Sequence, residues 1–332
     1  MNIKEMVDNN NRKINYLRLS ITDRCNLRCT YCMPENGVNF QPHNEILSYE
    51  EMLHIVRLAI LRGIRKVRLT GGEPLIRKGF IDFLQKLHDI EGLEEITLTT
   101  NGVLLKELAN DIKACGIQRL NVSLDTLKPE RFLKITGRDY FDRVWEGILE
   151  AEQLGFAPIK INVVAIKGFN DDEIPDFARL TLEKPFHVRF IEIMPIGEDN
   201  SWSQDKFISQ EDILDKIKTV GDLKPIHRRH SLDGPARRFI LDKGKGELGV
   251  IGSLSNHFCN ICNRLRLTAD GQLRSCLFSD KEFDIKSLLR NGKGDPAILE
   301  LIETAIKEKP KNHGNKYIGH KNCTRHMSTI GG

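Results

Sequence analysis

Short apolar runs alternate with amphipathic helical patterns over the first two thirds of the chain. The runs are rich in Val, Ile, Leu and Thr, which is typical of strands that are buried on both faces. They predict six strands, at residues 16–21, 66–70, 95–99, 119–124, 160–166 and 187–193. Helical patterns lie between them, for example at 48–62 and 80–89. In the first of these helices, Ser48 followed by Glu51 has the spacing of an N-terminal capping box.

The regular order of strand and helix favours parallel βα units that are joined by right-handed crossovers. Six units, where a closed barrel has eight, predict an incomplete (β/α)6 TIM-like barrel that is open on one side. In such folds the chemistry gathers at the C-terminal ends of the strands. The predicted fold class is therefore α/β, with reactive groups in the loops that follow the strands.

A different pattern begins after about Asp222, where paired strand patterns flank short turns. The pairs lie at 237–241 with 247–251, and at 264–269 with 272–276. The second turn contains Asp270 and Gly271, a strong short-range signal for a β-hairpin. Two helical stretches and a tail that contains Gly and His follow. We expect a barrel domain at 1–222 and a smaller C-terminal domain of hairpins and helices at 223–332.

Composition changes this interpretation little. The chain has 332 residues, enough for about two domains, with 50 Lys and Arg against 46 Asp and Glu. This excess of positive charge is too small to indicate nucleic-acid binding. Residues 1–14 lack the apolar core of a signal peptide, and no apolar run reaches the roughly 18 residues of a membrane span. We expect a soluble, cytoplasmic protein that binds neither nucleic acid nor membrane.

The eight cysteines are more informative. Six fall into two clusters, first Cys25, Cys29 and Cys32, then Cys259, Cys262 and Cys276. In a chain with no secretory signal, clustered cysteines indicate metal ligands or redox groups rather than disulfides. Cys115, at the end of a predicted helix over 103–114, is expected to be a small buried apolar residue. Cys323 lies in a polar tail, and we assign it no role.

The first cluster places three thiols in the loop that follows the first predicted strand. Its spacing is C-x3-C-x2-C, from Cys25 to Cys32. Three thiolates hold three corners of a cubane iron–sulfur cluster, whose complete ligation takes four cysteines. One iron is then open to a small chelating molecule. A structural zinc site would need a fourth ligand, and His43 is the nearest candidate.

The second cluster consists of Cys259 and Cys262, with Cys276 after thirteen intervening residues. The predicted hairpin fills this interval, so its return strand brings Cys276 back toward the first pair. Three thiolates again leave one iron open. Zinc stays a fair alternative here, because C-x2-C with a later Cys is half of a zinc ribbon and His257 would complete the site.

Arg264 and Arg266 begin the outgoing strand of this hairpin. Alternate residues of a strand point to the same face, so both guanidinium groups share one face. Leu265 and Leu267 share the other, which we expect to point inward. Two interpretations of the arginine face stay open. It is either a solvated face of the hairpin, or a pair of cations beside the second cluster, suited to an anionic or planar polar ligand.

The first cluster, with Tyr31 before its last cysteine, resembles the signature of the radical S-adenosylmethionine (SAM) superfamily. Gly-Gly-Glu-Pro at 71–74, after the second strand, is similar to the superfamily's motif for the methionine amino group. The resemblance implies that SAM chelates the open iron through its amino and carboxylate groups. An electron from the cluster then cleaves SAM to methionine and a 5'-deoxyadenosyl radical. The SAM contacts that the resemblance implies are Tyr31, Gly72, Ser123 and Met194.

From about Tyr16 to the last residue, the two clusters and the segment Cys-Asn-Arg-Leu-Arg-Leu-Thr-Ala-Asp-Gly closely resemble the GTP 3',8-cyclases of molybdenum cofactor biosynthesis. The resemblance implies two [4Fe-4S] clusters, the second of which engages the guanine of GTP. The GTP contacts that it implies are Arg18, Arg68, Thr99, Lys160, Arg264, Leu265 and Arg266. The catalytic residues that it implies are Arg264 and Arg266, with Gly331 and Gly332 in a tail that reaches toward the active site.

In the implied reaction the adenosyl radical removes hydrogen from ribose C3', which then adds to guanine C8. One further electron and a proton complete (8S)-3',8-cyclo-7,8-dihydroguanosine 5'-triphosphate. The resemblance also implies an external electron donor, a homodimer and transfer of the product to cyclic pyranopterin monophosphate synthase. Two other classes stay open: a peptide-modifying radical SAM enzyme, which would carry more C-terminal cysteines, and a zinc-stabilised regulatory protein. Residues 225–235, rich in His and Arg, have no assigned role.

Overall fold

The computed structural model describes residues 5–33, 37–197, 203–227, 234–313 and 323–331. Its strands, numbered along the chain, are β1 (Tyr16–Ser20), β2 (Lys66–Thr70), β3 (Glu95–Thr100), β4 (Leu120–Ser123), β5 (Ile159–Ala165), β6 (His187–Glu192), β7 (Leu223–Ile226), β8 (Arg237–Leu241), β9 (Glu247–Ile251), β10 (Arg264–Leu267), β11 (Gln272–Arg274) and β12 (Phe283–Asp284). All of them belong to one sheet, in the order β12-β11-β10-β1-β2-β3-β4-β5-β6-β9-β8-β7.

The six strands that the sequence predicts are the parallel core of this sheet. Strands β1 to β6 lie side by side in chain order, and every adjacent pair is parallel. Two later strands extend the parallel core, β10 beside β1 and β9 beside β6. Among the described residues the sheet ends at β12 and β7 and does not close. The predicted incomplete barrel is therefore confirmed, with strand ends that differ by at most one residue.

The helices of the described residues are α1 (Tyr49–Leu61), α2 (Phe80–His88), α3 (Leu105–Ala114), α4 (Pro129–Thr136), α5 (Phe141–Gln153), α6 (Ile174–Glu183), α7 (Gln210–Lys218), α8 (Ile285–Arg290), α9 (Gly294–Lys307) and α10 (Met327–Ile330). The capping box predicted for α1 is present, since Ser48 and Glu51 each accept the other's backbone N–H. The sequence analysis did not predict the pair α4 and α5 between β4 and β5. In the part of the chain that is described, no helix has the length and apolar character needed to cross a membrane.

Both predicted hairpins are present, because β8 and β9 pair antiparallel, as do β10 and β11. Each hairpin also extends the barrel sheet: β9 pairs with β6, and β10 pairs with β1. The division of the chain at residue 222 stays a prediction. Of the His- and Arg-rich segment 225–235, residues 228–233 lie outside the described part of the chain.

The central strands bury both of their faces. Leu17 of β1 and Leu265 and Leu267 of β10 are at most 1% exposed, and they join the main apolar core with residues of α1 and α9. On the opposite face of β10, Arg266 is only 3% exposed. The leucines pack against the apolar side of the helix layer. The arginines, on the other face of the strand, therefore line the interior of the barrel. The two leucines are therefore buried, as expected, and the interpretation of a solvated arginine face is wrong.

Candidate active site

The first three cysteines lie in a loop after β1 whose backbone is held by α4. The N–H of Arg28 donates to the carbonyl oxygen of Thr136 at 2.8 Å. The N–H of Thr30 donates to the carbonyl oxygen of Ile135 at 2.9 Å. These bonds fix the loop at the C-terminal end of β1, where the sequence analysis expects the chemistry.

Gly72 lies directly against this cysteine loop. Its N–H donates to the carbonyl oxygen of Thr22 at 2.7 Å, and the N–H of Glu73 donates to that of Arg24 at 2.8 Å. A Cβ at residue 72 would stand 2.2 Å from the Arg24 carbonyl oxygen, so only glycine fits without displacement. Gly72 therefore packs against the backbone of the cysteine loop. This contact is additional to the SAM contact that is predicted for Gly72.

The carboxylate of Glu73 ties β2 to β3 beside the loop. Its oxygens accept from Thr100 Oγ1 at 2.7 Å, from the Asn101 N–H at 2.6 Å and from the Leu75 N–H at 3.0 Å. Burial raises the pKa of Glu73 to about 7 against the opposing effect of these bonds. The Asn101 amide in turn donates to Cys25 Sγ at 3.6 Å. This chain of contacts places a hydrogen-bond donor at the first thiol.

The thiols of the first loop are partly buried and lie close together. Burial is the main cause that raises the pKa of Cys25 to about 11 and that of Cys32 to about 12. The N–H of Leu27 also donates to Cys25 Sγ, at 3.4 Å. Thiolates with N–H donors at their sulfurs are the ligands of iron–sulfur clusters, so the donor set fits three corners of such a cluster. Among the described residues, no three His, Cys, Asp or Glu side chains are placed to hold a single metal ion.

The second three cysteines lie at the opposite end of the barrel. Cys262 stands two residues before β10, and Cys276 stands two residues after β11. Because Arg264 at the start of β10 pairs with Tyr16 at the start of the parallel strand β1, this is the N-terminal end of the strands. Strand β1, about 13 Å long at the usual rise per residue, separates the two sets of cysteines.

Two buried cations hold the loop of the second set. Arg12, 6% exposed, donates to the carbonyl oxygen of Cys259 at 2.7 Å and to backbone carbonyls that follow α9. Lys309, 4% exposed, donates to the carbonyl oxygens of Arg264, at 2.8 Å, and Ser275. The sequence analysis missed both cations, since one precedes the first strand, the other follows the last long helix, and neither belongs to a motif.

Arg264 also acts on the nearest thiol. Burial raises the pKa of Cys262, but the charges of Arg264 and Lys309 outweigh burial and bring that pKa down to about 6. The thiolate that a metal requires is therefore favoured at this position before any metal binds. His257, the alternative zinc ligand, has its Nδ1 buried with no hydrogen-bond partner in the described part of the chain, and its ring lies 5.3 Å from that of His313.

Basic side chains of five strands converge on the interior between the two sets of cysteines. In the register of the sheet, Arg18 of β1 lies between Arg266 of β10 and Arg68 of β2. Lys160 of β5 and Arg189 of β6 approach from the other side, close enough that Arg189 and Arg68 both lower the pKa of Lys160. The structure thus brings the predicted GTP-binding cations together, and it adds Arg189 to them.

Burial makes these charges costly for the folded chain. It is the largest cause that lowers the pKa of Lys160 to about 6, that of Arg266 to about 9 and that of Arg189 to about 10. In addition, Arg18 Nε and Thr99 Oγ1 are buried without a hydrogen-bond partner among the described residues. Crowded cations with unpaired polar atoms fit a polyanionic ligand that carries further polar groups, such as a nucleoside triphosphate.

The predicted SAM contacts lie at the C-terminal ends of the strands. Ser123 ends β4, Met194 follows β6 and Gly72 follows β2. Tyr31 lies in the first cysteine loop, and its hydroxyl donates to Asp125 Oδ2 at 2.8 Å. The other oxygen of Asp125 accepts a backbone N–H of β5 at 2.8 Å. Asp125, which the sequence analysis did not single out, therefore fixes the side chain of Tyr31 to the sheet.

The C-terminal tail reaches the same end of the barrel. Gly331 has a left-handed φ of 71°, and a Cβ there would stand 2.7 Å from Thr70 Oγ1 and 3.0 Å from Ser20 Cβ. Its carbonyl oxygen accepts from Arg266 Nη1 at 2.9 Å. The structure thus brings two of the predicted catalytic residues, Gly331 and Arg266, into contact. Gly332 lies outside the described residues.

The two isolated cysteines are both buried. Cys115 is 4% exposed, as its expected role as a small apolar residue requires. Cys323 is 0% exposed and packs with Ile196 and Ile330, although its sequence neighbours are polar. Arg274 Nη2 donates to Cys323 Sγ at 3.3 Å. The described part of the tail is therefore packed into the fold at its start as well as at its tip.

An open barrel of parallel strands, with a three-cysteine loop after the first of them, defines a radical SAM enzyme. The family model described as Radical SAM superfamily matches residues 19–181. The fold is also that of Streptococcus suis SuiB, whose crystal structure bound to S-adenosylmethionine aligns with a TM-score of 0.59 at 17% identity, over 89% of this chain and 69% of that chain. Membership of this superfamily implies the use of SAM and an iron–sulfur cluster.

Closer relatives identify the family within this class. The model described as Molybdenum Cofactor Synthesis C matches residues 186–315. The chain is 51% identical to the GTP 3',8-cyclase of Thermodesulfovibrio yellowstonii over 98% of this chain and 100% of the relative. It is 50% identical to that of Desulforamulus reducens over 93% of this chain and 95% of the relative. The chain belongs to the GTP 3',8-cyclase family, which confirms the resemblance drawn from its motifs.

Proposed function

We propose that the chain converts GTP to (8S)-3',8-cyclo-7,8-dihydroguanosine 5'-triphosphate in molybdenum cofactor biosynthesis. The observation that carries the proposal is the convergence of buried cations on a polar interior between two sets of three cysteines. A polyanion would relieve the repulsion among these cations, and a nucleotide is long enough to contact both ends of the interior. The family relationship supports the same activity.

The cofactors of the proposal are SAM and two [4Fe-4S] clusters, one at each set of cysteines. Three thiols hold three irons of a cubane and leave the fourth iron open. The ligand sets would be Cys25, Cys29 and Cys32 at one end, and Cys259, Cys262 and Cys276 at the other. When bound, SAM and the first cluster supply the 5'-deoxyadenosyl radical that removes hydrogen from the ribose.

The side chains of the interior orient the nucleotide. Arg18, Arg68 and Lys160 supply positive charge, and Arg264 lies at the end of the barrel where the guanine is held. Binding the substrate at both ends keeps its ribose facing the first cysteine loop, and such positioning is worth about 7–11 kcal/mol in favourable cases. The phosphates also raise the pKa of Lys160 from about 6, because the charged form gains a partner.

Anaerobic reconstitution followed by incubation with SAM, a reductant and each nucleoside triphosphate in turn tests the proposal. We expect about eight irons per chain, as two four-iron clusters require. Only GTP should give both 5'-deoxyadenosine and the cyclised product in mass spectrometry. Zinc at either site without iron uptake would defeat the cluster assignment, and equal 5'-deoxyadenosine with every nucleotide would defeat the choice of substrate.

Two arginine variants test the nucleotide site within the same assay. Arg264→Ala and Arg266→Ala should weaken GTP turnover and leave uncoupled cleavage of SAM, because the first cysteine loop is intact. Arg179→Ala on α6 is the matched control, since this arginine is exposed and, among the residues that the structure describes, forms its ion pair with Asp176 in its own helix. Wild-type GTP turnover in both interior variants would contradict the proposed site.

The resemblance supports four further proposals, which the described residues do not test. They are reduction by an external electron donor, assembly as a homodimer, transfer of the product to cyclic pyranopterin monophosphate synthase, and a cytoplasmic location.

A further inference from the structure

One arginine fastens the C-terminal tail to the rest of the protein. Arg325 donates through Nη1 and Nη2 to the two carboxylate oxygens of Asp270, at 3.0 and 2.9 Å. Its Nη2 and Nε also contact the two oxygens of Glu282, at 2.9 and 2.8 Å. The three side chains are between 15% and 27% exposed. A forked contact of this kind, partly shielded from water, is among the stronger and more directional ion pairs.

The partners of Arg325 belong to the hairpin that contributes to the active site. Asp270 lies in the turn between β10, which carries Arg266, and β11, which leads to Cys276. Glu282 follows the same hairpin and also binds an arginine of β11. The tail is therefore bonded to the element that positions the second set of cysteines.

A short, ordered path leads from Arg325 to the mouth of the barrel. The next residues form α10, in which the Thr329 N–H donates to the carbonyl oxygen of His326 at 3.0 Å. The backbone of Ser328 lies close enough to Cys32 in the first cysteine loop to lower the pKa of its thiol against the larger effect of burial. The path ends where Gly331 accepts its hydrogen bond from Arg266. The tail thus spans the mouth from one cysteine loop to the arginine of β10.

We propose that Arg325 is a positioning residue that sets how far the tail enters the barrel mouth. The fork fixes the start of α10 to the hairpin, so Gly331 keeps its place against Arg266. Without the fork, Cys323 still holds the start of the tail, but only the packing of Ile330 and the hydrogen bond of Gly331 to Arg266 then hold its tip in the mouth. The placement is a property of the fold, whereas its consequence for turnover rests on the function proposed above. A displaced tip admits water and lowers the yield of product from each radical.

Hydrogen exchange on the reconstituted, full-length protein tests the placement. Arg325→Gln should speed exchange in a peptide covering 326–331 by about ten- to hundred-fold, the effect of losing charge-assisted hydrogen bonds. Arg325→Lys keeps the charge but not the fork, so it should give an intermediate rate. Hydrogen exchange at 264–274 and the iron content should stay at wild-type values. A general loss of structure would change both of them.

Arg290→Gln is the matched control, because Arg290 makes a similar forked pair with Glu51 between α8 and α1, away from the tail. It should leave exchange in the tail unchanged. The inference is overturned if the tail of Arg325→Gln exchanges at the wild-type rate, or if the control speeds it equally. If Arg325→Gln does not fold, Arg325→Lys provides the test. Faster exchange in its tail than in the wild-type protein supports the inference, and exchange at the wild-type rate overturns it.

The ratio of cyclised product to 5'-deoxyadenosine measures the consequence for turnover. It should fall several-fold in Arg325→Gln, recover in part in Arg325→Lys and stay at the wild-type value in the control. A freed tail with an unchanged ratio would show that its depth does not matter for the reaction. If the wild-type enzyme makes no product from GTP, the proposed function fails, while the exchange experiment still decides the placement.

Discussion

Replacing Gly72 by alanine should destabilise the protein even when no cofactor is bound. The new Cβ would stand 2.2 Å from the carbonyl oxygen of Arg24, which must retreat by roughly 1 Å to reach an ordinary contact distance. Overpacking of this kind costs about 1–3 kcal/mol. The retreat also weakens the two backbone hydrogen bonds of Gly72 and Glu73 to the cysteine loop, each worth about 0.5–1.5 kcal/mol. The expected loss in the free energy of unfolding is therefore about 2–6 kcal/mol.

Urea unfolding of the cofactor-free chain, followed by circular dichroism, measures this loss. Gly221→Ala is the matched control, because its Cβ would meet only Leu241 Cδ2, at 3.6 Å. The control also cancels the effect of alanine on the unfolded chain. If Gly72→Ala unfolds at the same urea concentration as Gly221→Ala, the packing argument is refuted. The importance of Gly72 would then come from contact with SAM alone.

Three further predictions concern the interior, the second set of cysteines and the tail. The pKa of Lys160 falls from 10.5 to about 6 on folding, so between these pH values the unfolded chain binds more protons than the folded one. The free energy of unfolding should therefore rise with pH in this range, and the rise should be smaller in Lys160→Met. Arg12→Met should lower the iron content from about eight to about four, because the loop of Cys259 loses a buried donor. Gly331→Ala places a Cβ close to Thr70 in a left-handed backbone conformation. The substitution should lower product formation and have little effect on the free energy of unfolding measured in urea.

Each of these predictions has an outcome that contradicts it. An unchanged pH slope in Lys160→Met, measured beside the exposed control Lys106→Met, would show that Lys160 is not buried as a neutral amine. Full iron uptake by Arg12→Met would show that the second loop holds its shape alone. Wild-type product formation by Gly331→Ala would show that the close fit of Gly331 in the mouth does not matter for the reaction.

Local patterns made much of the fold predictable. The strand runs, the Ser48 capping box and the Asp270-Gly271 turn are each decided by residues close together in sequence, and all of them are present. Helix α4 was missed because it spans only two turns, and its pattern is too short to stand out. Length does not explain why α5, with 13 residues, was missed. The hydrogen bonds of Arg12 and Lys309 to the second loop join residues that are far apart in sequence, so no local pattern predicts them.

The polar face of β10 had two open interpretations, although the sequence contained a signal for a polar interior. Strands β1, β2 and β10 read Tyr-Leu-Arg-Leu-Ser, Lys-Val-Arg-Leu-Thr and Arg-Leu-Arg-Leu. This alternation separates an apolar from a polar face, and a polar face is usually exposed to water. In an incomplete barrel it faces the interior instead. Cations at matching positions of neighbouring strands, Arg18 beside Arg68 and Arg266, could therefore have predicted a polar interior.

The two sets of cysteines have the same number of thiols but opposite electrostatic surroundings. Near the first set, Glu73 and Asp125 add their negative charge to burial in raising thiol pKa values. Near the second, Arg264 and Lys309 lower the pKa of Cys262 against burial. Cations stabilise the added electron of a reduced cluster and carboxylates oppose it, because reduction potentials follow net charge and hydrogen bonding around the sulfurs. If each set of cysteines holds a cluster, as proposed above, the residues of the fold would favour the stronger reductant at the C-terminal end of the barrel and the weaker one at the N-terminal end.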